Sequence, residues 1–211
     1  MAGGRVEICG VNTSRLPVLT SSEKRELLKK AAEGDAEALR EMTLNPAVYR
    51  YLPTFLYEQQ DPDIHAVIRG FYGDLFRKKQ SLILAVCRKE APETFCGLAE
   101  FYGFRNILHK TSIGYRLSEQ FWGMGIAAQT VKLMTDYLFT ETDTELVTAS
   151  TMVENAASAR VLEKNGFLRI ARVPEDWGYP RLTVADKWVR RNHRKNAITD
   201  GINRLKGRTV E

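Results

Sequence analysis

The sequence is poor in the residues that mark secreted, metal-binding and membrane-spanning proteins. Among its 211 residues are three cysteines, Cys9, Cys87 and Cys96. Their odd number and the lack of CxxC spacing favour reduced, buried thiols over a disulfide framework or a metal site. No apolar run approaches the ~18–20 residues of a membrane helix, and the first residues, MAGGRVEICG, lack the apolar core of a secretory signal. We therefore expect a cytoplasmic protein that binds no metal and no membrane.

Three widespread catalytic motifs are also missing from the sequence. It contains no GxxxxGK[ST] phosphate loop, no GxSxG nucleophile elbow and no HExxH zinc helix, which excludes most nucleotide hydrolases, serine esterases and zinc proteases. Apolar residues make up 44% and charged residues 27% of the chain. This composition is typical of a globular domain rather than of a disordered or fibrous protein.

Positive charge is in excess only at the C-terminal end of the chain. The formal net charge is +5, but residues 189–211 contain seven basic and two acidic residues, so the remaining residues have 24 of each sign. We expect an N-terminal extension at residues 1–20, a neutral domain at 21–189 and a basic tail at 190–211. The domain is not expected to bind nucleic acid, and a homodimer remains open.

Hydrophobic spacing predicts an α/β domain. Helical periodicity predicts helices at residues 21–42 (divided near Gly34), 64–79, 125–139 and 156–165. Short apolar runs predict strands at residues 82–87, 96–101, 111–117, 146–151, 167–173 and 183–189, the first two forming a hairpin around a turn at 89–94. An edge strand at residues 16–19 is compatible with Pro17. This order favours a mixed sheet flanked by helices.

A glycine-containing turn between a strand and a helix is the first candidate ligand site. The segment Gln120-Phe-Trp-Gly123-Met124-Gly125 follows the strand at 111–117 and runs directly into a helix. Glycines allow a tight turn and a close backbone approach to a ligand, and the free N–H groups of a helix N-terminus favour an anion such as pyrophosphate. Alternatively, the segment is a strand-to-helix turn without a ligand.

A second segment begins the helix at residues 156–165. Asn155 occupies the N-cap position, Ser158 lies three residues later, and Gly166 is placed to end the helix. By itself this pattern indicates no more than a well-capped surface helix.

Together the two segments resemble the cofactor-binding core of the GNAT superfamily of acetyl-CoA-dependent N-acetyltransferases. The pyrophosphate signature of that family is Gln/Arg-x-x-Gly-x-Gly/Ala, which Gln120, Gly123 and Gly125 match. The strand Ile113-Gly-Tyr-Arg-Leu117 and the segment Asn155-x-Ala-Ser158-x-Arg-Val-Leu-Glu-Lys-x-Gly-Phe167 are similar to the ribosomal-protein N-terminal (Rim-type) branch.

The resemblance implies a mixed, mostly antiparallel, twisted sheet flanked by helices, whose splayed central strand binds acetyl-CoA. It implies transfer of the acetyl group to a primary amine, on a protein N-terminus or a small molecule, by direct attack in a ternary complex. The cofactor-binding residues that it implies are Tyr115, Arg116, Leu117, Gln120, Gly123, Met124, Gly125, Ile126, Ala127, Asn155 and Ser158.

The catalytic groups are less clearly indicated. Glu100 interrupts an apolar strand and is a candidate general base or a surface residue, while His109 is a candidate base or a solvated loop residue. Many relatives carry a tyrosine proton donor seven residues after the motif asparagine, where this chain has Leu162. Ser158 is therefore a weaker candidate acid, or only a capping residue.

An aromatic segment near the end of the domain is a candidate wall of the acceptor cleft. Residues 172–180 (RVPEDWGYP) place Trp177 and Tyr179 beside acidic residues, a combination that suits a cationic amine through cation–π contact and charge pairing. A packed β-turn with solvated acids explains the same residues. Tyr49, Tyr51 and Phe55 are candidates for the opposite wall or for the core.

The first residues carry a second, shorter resemblance. Residues 5–35 are similar to the start of the sporulation sigma factors of spore-forming bacteria, and this similarity indicates a bacterial source. Two other functions stay open beside the enzyme. The missing tyrosine leaves open a non-catalytic acyl-CoA-binding sensor, and the sigma-like start with the basic tail leaves open a partner of RNA polymerase or nucleic acid.

Overall fold

A computed structural model describes residues 6–8 and 36–192 of the chain. The edge strand predicted at residues 16–19, the first part of the first predicted helix and the basic tail from residue 193 onward lie outside the described residues. Within the described part, no helix combines the length and hydrophobicity needed to cross a bilayer.

Seven strands form one mixed sheet in the order β1-β2-β3-β4-β5-β7-β6. The only parallel pair among them is β4–β5, and the other neighbours are antiparallel. This architecture confirms the predicted fold class. The strands are β1 (Val6–Ile8), β2 (Ser81–Arg88), β3 (Ala91–Arg105), β4 (Lys110–Leu117), β5 (Leu146–Met152), β6 (Leu168–Glu175) and β7 (Thr183–Arg191).

Two features of the sheet differ from the prediction. The hairpin turn predicted at residues 89–94 is wrong, because Arg88 already pairs with Ala91 and β3 begins there. Polar residues of a strand that has one wet side cannot be told from turn residues by composition alone. Strand β1 was not predicted, since three residues are too few to show the two-residue period.

The described helices overlap the predicted segments, apart from the short helix Pro46–Tyr49, which was not predicted. They are α1 (residues 36–44), α2 (Pro46–Tyr49), α3 (Ile64–Ala66), α4 (Gly73–Arg77), α5 (Ile126–Glu141) and α6 (Ala156–Lys164). Asn45 and Asp63 cap α2 and α3 through their side-chain oxygens. A π-helical segment, Val67–Tyr72, joins α3 to α4 without a break, a local widening that hydrophobic spacing does not reveal.

The sheet separates two layers of helices. Helices α5 and α6 pack on one face around a core that includes Ile113, Met134 and Leu162. Helix α1 and the helical segment from α3 onward pack on the other face around Leu39 and Val67. Because side chains alternate along a strand, successive residues of β3 and β4 face opposite helix layers. The chemistry of the two faces of the sheet therefore differs.

A β-bulge in β3 fixes the end of β4. Val86 pairs with Gly97 and Cys87 pairs with Phe95, so one additional residue, Cys96, lies between them. Gly97 has φ +154°, and a Cβ there would lie 2.1 Å from the backbone oxygen of Arg116. The N–H of Ser118 also donates to the Cys96 oxygen at 2.9 Å. The bulge therefore fastens the end of β4 tightly to β3.

We expect Gly97→Ala to destabilise the domain, because the new methyl group would overlap the backbone of β4. The loss of unfolding free energy should exceed about 2 kcal/mol, from backbone strain and overpacking combined. Urea unfolding followed by circular dichroism measures it. Gly70→Ala is the matched control, since a Cβ at Gly70 meets no atom within 4 Å and should change stability by less than about 1 kcal/mol. Equal stability of the two variants would contradict the proposed close contact.

Candidate active site

The parallel strands β4 and β5 pair over only part of their length. Three residue pairs join them, and the last is Ser112 with Thr148, whose hydroxyl groups lie 2.9 Å apart. Beyond this point β4 continues to pair with β3, and β5 continues to pair with β7. The facing edges of residues 113–117 and 149–152 therefore have no strand partner, and a cleft opens between them.

Unpaired backbone groups along this cleft are suited to a ligand. Buried N–H and C=O groups are nearly always hydrogen-bonded in folded proteins. The free edge of β4 lies within the core, where Ile113 and Leu117 are almost fully buried. An extended ligand with amide groups would complete the hydrogen bonds that β5 does not provide.

The glycine turn lies at the end of the free β4 edge. Gly123 and Gly125 have φ values of +74° and +79°, and a Cβ at either position would meet no protein atom within 4 Å. The indole N–H of Trp122 donates to the Leu117 oxygen at 2.9 Å and holds the turn against the strand. The left-handed backbone explains the glycines, and open space lies in front of them.

Helix α5 begins at this turn without a side-chain cap. Gly125 is its N-cap residue and makes no side-chain hydrogen bond to the first N–H groups. Ile126 is buried and anchors the start of the helix in the core. Free amides with a positive dipole end favour an anion, so the turn and the helix start are suited to a phosphate group. Gln120 and Met124 are exposed beside them.

Helix α6 forms the opposite rim of the cleft. The Asn155 side-chain oxygen accepts a hydrogen bond from the Ser158 N–H at 3.1 Å, so these residues form the predicted cap. Gly166 ends the helix region in a left-handed conformation, φ +75°. The Asn165 side chain donates to the Ala128 oxygen at 3.2 Å and ties α6 to the first turns of α5.

Tyr115 points from the free β4 edge toward α6. It packs against the core on the side of α5 and α6, and burial raises the pKa of its hydroxyl to about 12, while the Ser158 side chain acts in the opposite direction. The hydroxyl oxygen is buried, and no residue of the described part of the chain forms a hydrogen bond of normal geometry with it.

Arg116, the next residue, has its side chain on the other face of the sheet. The guanidinium is buried and lies 2.5 Å from a Glu58 oxygen and 3.8 Å from a Glu100 oxygen. It also donates to the Tyr72 hydroxyl at 3.5 Å. Burial opposes the charge, but the carboxylates outweigh it and raise the pKa of Arg116. Although the resemblance places Arg116 among the cofactor contacts, its charged group does not face the cofactor side.

Glu58 is a functional residue that the sequence pattern does not indicate. It lies in a short 3-10 turn between α2 and α3 and is only 1% exposed. The Tyr49 hydroxyl donates to its Oε1 at 3.3 Å, and burial raises the pKa of Tyr49. No local pattern surrounds Glu58, and its partner Arg116 is 58 residues away in the sequence. The ion pair fastens the segment before α3 to the β4 strand that borders the cleft.

Glu100 lies beside the point where the two strands separate. It pairs across the sheet with Gly114 of β4, two residues beyond Ser112. The Ser81 hydroxyl donates to its Oε1 at 2.6 Å, and the side chain is 20% exposed. Glu100 is therefore neither a fully buried nor a simple surface residue. It is a partly accessible carboxylate with defined partners.

A polar floor continues from Glu100 across the same face of the sheet. Lys187 donates to the Ser150 hydroxyl at 2.9 Å and lies 2.6 Å from a Glu175 oxygen. Tyr102 lies between the acids, and burial together with the charges of Glu100 and Glu175 raises the pKa of its hydroxyl to about 12. We call these five residues, with Ser112 and Thr148, the polar floor.

His109 lies away from this centre. It precedes the first residue of β4, at the end where β4 and β5 are paired, and its Nδ1 lies 3.1 Å from an Asp143 oxygen at the surface. The backbone oxygen of His109 accepts hydrogen bonds from the N–H groups of Glu145 and Leu146. The structure thus places His109 at the closed end of the strand pair and does not bring it to the cleft.

The aromatic residues predicted to line the acceptor cleft form a packed cluster. Trp177 is 7% exposed and packs with Met152, while Tyr51 and Tyr179 pack against them. The Tyr179 hydroxyl donates to the Leu52 oxygen at 2.9 Å. These contacts fasten residues 172–180 to the segment before α3, so the cluster is a wall of packed rings rather than an open aromatic box.

The acidic side chains of residues 172–180 also have hydrogen-bond or ion-pair partners within the protein. The Asp176 side chain accepts a hydrogen bond from the Gly178 N–H at 2.8 Å in a local turn, and Glu175 is paired with Lys187. Tyr49 is buried in the core of the N-terminal helices, whereas Phe55 is exposed. The two segments predicted to form opposite walls of the acceptor cleft are in contact, but their side chains pack directly against each other and leave no cleft between them.

These features define an α/β class of protein with a split sheet and an uncapped helix start, an arrangement suited to an extended, phosphorylated ligand. A family model described as an acetyltransferase (GNAT) domain matches residues 25–168. The uncharacterized N-acetyltransferase YoaA of Bacillus subtilis is 26% identical over 151 residues, which cover 72% of this chain and 82% of YoaA.

Solved structures of acetyltransferases share the fold. Spermidine N-acetyltransferase from Vibrio cholerae, in complex with CoA and spermine, has a TM-score of 0.62 at 15% identity, covering 75% of this chain and 90% of that one. RimL, a ribosomal-protein α-N-acetyltransferase in complex with coenzyme A, has a TM-score of 0.62 at 21% identity, covering 75% and 89%.

The chain therefore belongs to the GNAT acetyltransferases, and the predicted enzyme class, an acetyl-CoA-dependent N-acetyltransferase, is confirmed. The similarity of residues 5–35 to sigma factors gains no support from these relatives. Residues at the cleft fit acetyl-CoA: the space in front of Gly123 and Gly125 would be filled by a Cβ, and the buried Tyr115 hydroxyl lacks a hydrogen-bond partner in the described structure.

We expect Glu58→Leu to destabilise the domain by roughly 3–5 kcal/mol, because it leaves the buried Arg116 guanidinium without its nearest carboxylate. The double variant Glu58→Leu/Arg116→Met should recover much of this loss, since it removes both charges. Urea unfolding of the two variants and the wild type measures the difference. A double variant less stable than the single one would show that the ion pair is not the main contribution of these residues.

Proposed function

We propose that the protein transfers an acetyl group from acetyl-CoA to a primary amine that binds on the polar floor. The observation that carries this proposal is the separation of β4 from β5 after Ser112 and Thr148, next to the uncapped start of α5. A ligand between the separated strands would be in reach of both the cofactor side of the sheet, covered by α5 and α6, and the opposite face, where Glu100 lies. A carboxylate and an extended ligand would thus meet at one point from two sides.

The cofactor-binding residues would act mainly through their backbone. The N–H groups of Gly123, Gly125, Ile126 and Ala127 would hold the pyrophosphate at the helix start. The free edge of β4 at Tyr115–Leu117 would hydrogen-bond the pantetheine arm, and Asn155 and Ser158 would border it from α6. When bound, acetyl-CoA supplies an activated acetyl thioester.

Glu100 is the proposed general base. An ammonium group has no lone pair, so the amine must lose a proton before it attacks, and a positioned carboxylate can accept it directly or through water. The Ser81 hydrogen bond orients one oxygen of Glu100, and the partial exposure of the side chain leaves room for an acceptor. Because His109 lies at the closed end of the strands, we do not propose it as the base.

Backbone N–H groups of the free β4 edge are the donors proposed to stabilise the carbonyl oxygen as negative charge develops on it. Such donors are fixed before the reaction and need no reorganisation, which is the main source of their effect. Positioning of the amine against the carbonyl carbon in a ternary complex provides the remaining advantage.

The acceptor itself is proposed as a primary amine of a protein N-terminus or a small molecule. Similarity of the motifs to the Rim-type branch, together with RimL among the structural neighbours, favours a protein N-terminus. The spermidine acetyltransferase among the neighbours supports a small amine. A cytoplasmic setting fits either acceptor. The packed aromatic cluster provides a wall beside the polar floor but no separate cation site.

The assay for this proposal is thiol release from acetyl-CoA with a panel of amines, comprising peptide N-termini, polyamines and aminoglycosides. Turnover with one class of amine would support the proposal and identify the acceptor. CoA binding without turnover on any amine would favour the alternative of a non-catalytic sensor. Binding to RNA polymerase or nucleic acid that survives about 200 mM salt would favour the remaining alternative.

We expect Glu100→Gln to lower turnover by about 10²–10⁴-fold and to leave CoA binding unchanged, because the amide retains the shape but cannot accept the proton. Glu93→Gln is the matched control: it lies on the same strand and is exposed. His109→Ala should remain within about twofold of the wild type. If Glu100→Gln also stays within that range, another group is the base.

We expect Gly123→Ala to weaken CoA binding by at least about tenfold, because its Cβ would occupy the space in front of the helix start, and to cost about 1 kcal/mol of stability for the left-handed backbone. Isothermal titration with CoA measures the affinity. Gly166→Ala is the matched control, because Gly166 has the same left-handed backbone conformation as Gly123 and lies at the far end of α6. It should lose similar stability and keep its affinity for CoA. Equal affinities of the two variants would place the phosphate elsewhere.

A further inference from the structure

The buried hydroxyl of Tyr115 is a polar group whose partner is missing from the described chain. Its oxygen is inaccessible to solvent, yet no side chain or backbone group of the described residues forms a hydrogen bond of normal geometry with it. A buried hydroxyl without a partner is costly, and such groups are rare in folded proteins. A bound ligand is one way to supply the missing acceptor.

The position of Tyr115 indicates on which side of the sheet that acceptor must bind. The residue lies on the unpaired part of β4, three residues beyond Ser112, and pairs on its other side with Ala99. Since side chains alternate along a strand, its ring is on the face opposite Arg116, toward α6. Its hydroxyl therefore lies on the side of the sheet proposed to hold the cofactor.

Ser158 approaches the hydroxyl from the first turn of α6. Its N–H is already used by the Asn155 cap, and its side chain interacts with the Tyr115 hydroxyl closely enough to act on the pKa of that group. Burial has the larger effect and keeps the pKa of Tyr115 near 12. The hydroxyl is therefore neutral at physiological pH, so it can donate a hydrogen bond.

Leu162 provides no hydrogen-bond donor on the α6 side of the sheet. It occupies the position where many relatives carry a tyrosine, is only 1% exposed, and has no polar group to offer the cleft. Leu162 and Tyr115 belong to the same core on the α6 side of the sheet. Tyr115 thus brings a hydroxyl group into this core from β4 instead of from α6.

We propose that the Tyr115 hydroxyl, oriented by Ser158, donates a hydrogen bond to the sulfur atom that leaves during acetyl transfer. This inference rests on the proposed acetyl transfer at the cleft. The amine, which has already given one proton to Glu100, forms a bond from its nitrogen to the acetyl carbon, and the second proton on that nitrogen passes to water. As the bond between the acetyl carbon and sulfur breaks, its electron pair moves to sulfur. The proton of Tyr115 stays on its oxygen, because the pKa of this hydroxyl is above that of an ordinary thiol. Water then protonates the released thiolate.

The experiment compares Tyr115→Phe with the wild type by a property of bound CoA that does not require turnover. The ultraviolet absorption of the thiolate, followed against pH, gives the pKa of the CoA thiol on the protein. A hydrogen bond from Tyr115 stabilises the thiolate, so we expect this pKa to be higher in Tyr115→Phe than in the wild type by about 1 or more, a tenfold change in thiolate fraction. Turnover should fall by a similar factor.

A second binding measurement separates the hydroxyl from general packing. At a pH where the thiol is ionised, wild-type protein should bind CoA more tightly than desulfo-CoA, and Tyr115→Phe should lose most of that preference. Tyr137→Phe removes a tyrosine hydroxyl from α5, whose ring packs against Phe101 in the same core. It should keep both the thiol pKa and the preference of the wild type.

The two proposals fail in different ways. An unchanged thiol pKa and an unchanged preference for CoA in Tyr115→Phe would overturn the role of Tyr115, even if the enzyme acetylates amines. If Ser158→Ala alters the thiol pKa and the preference for CoA while Tyr115→Phe leaves both unchanged, the hydrogen bond comes from Ser158. That result would also overturn the role of Tyr115. A panel of amines without turnover would overturn acetyl transfer, and the thiol measurements on bound CoA would still be readable.

Discussion

Backbone hydrogen bonding between β4 and β5 determines what the rest of the domain can do. Two parallel strands that begin as partners separate after Ser112 and Thr148, while each keeps its other neighbour. The Gly97 bulge holds the end of β4 against β3, where there is no room for a side chain. The cleft is therefore maintained by the pairing on its two outer sides, and its inner edges remain available for a ligand that supplies hydrogen bonds.

This constraint gives the two faces of the sheet different tasks. On the α5 and α6 side, the glycine turn, the uncapped helix and Tyr115 are suited to an anionic, extended cofactor. On the opposite side, buried ion pairing between Arg116 and Glu58 fastens the segment before α3 to β4, and the polar floor begins at Glu100. Adjacent residues of a strand face opposite sides, so Tyr115 and Arg116, neighbours in sequence, belong to separate chemical environments.

Much of the fold and of the cofactor side was accessible from the sequence because the signals are local. The strand, turn and helix around Gly123 and Gly125 follow from glycine conformation and hydrophobic spacing within about 30 residues. The cap formed by Asn155 and Ser158 spans three residues. Short-range signals did not predict the tight hairpin in which Arg88 pairs with Ala91, where only two residues separate the strands. They also did not predict strand β1, which has only three residues.

The sequence by itself determined the family, the order of elements and the segments that border the cofactor cleft, since each depends on neighbours along the chain. Tertiary structure decided which charges meet. It buried Glu58 against Arg116, placed His109 at the closed end of the strands, and packed Trp177 and Tyr179 into a wall. It also left the Tyr115 hydroxyl buried with no partner in the described chain. Those outcomes depend on strand register and on contacts between distant segments, which no local pattern of residue types specifies.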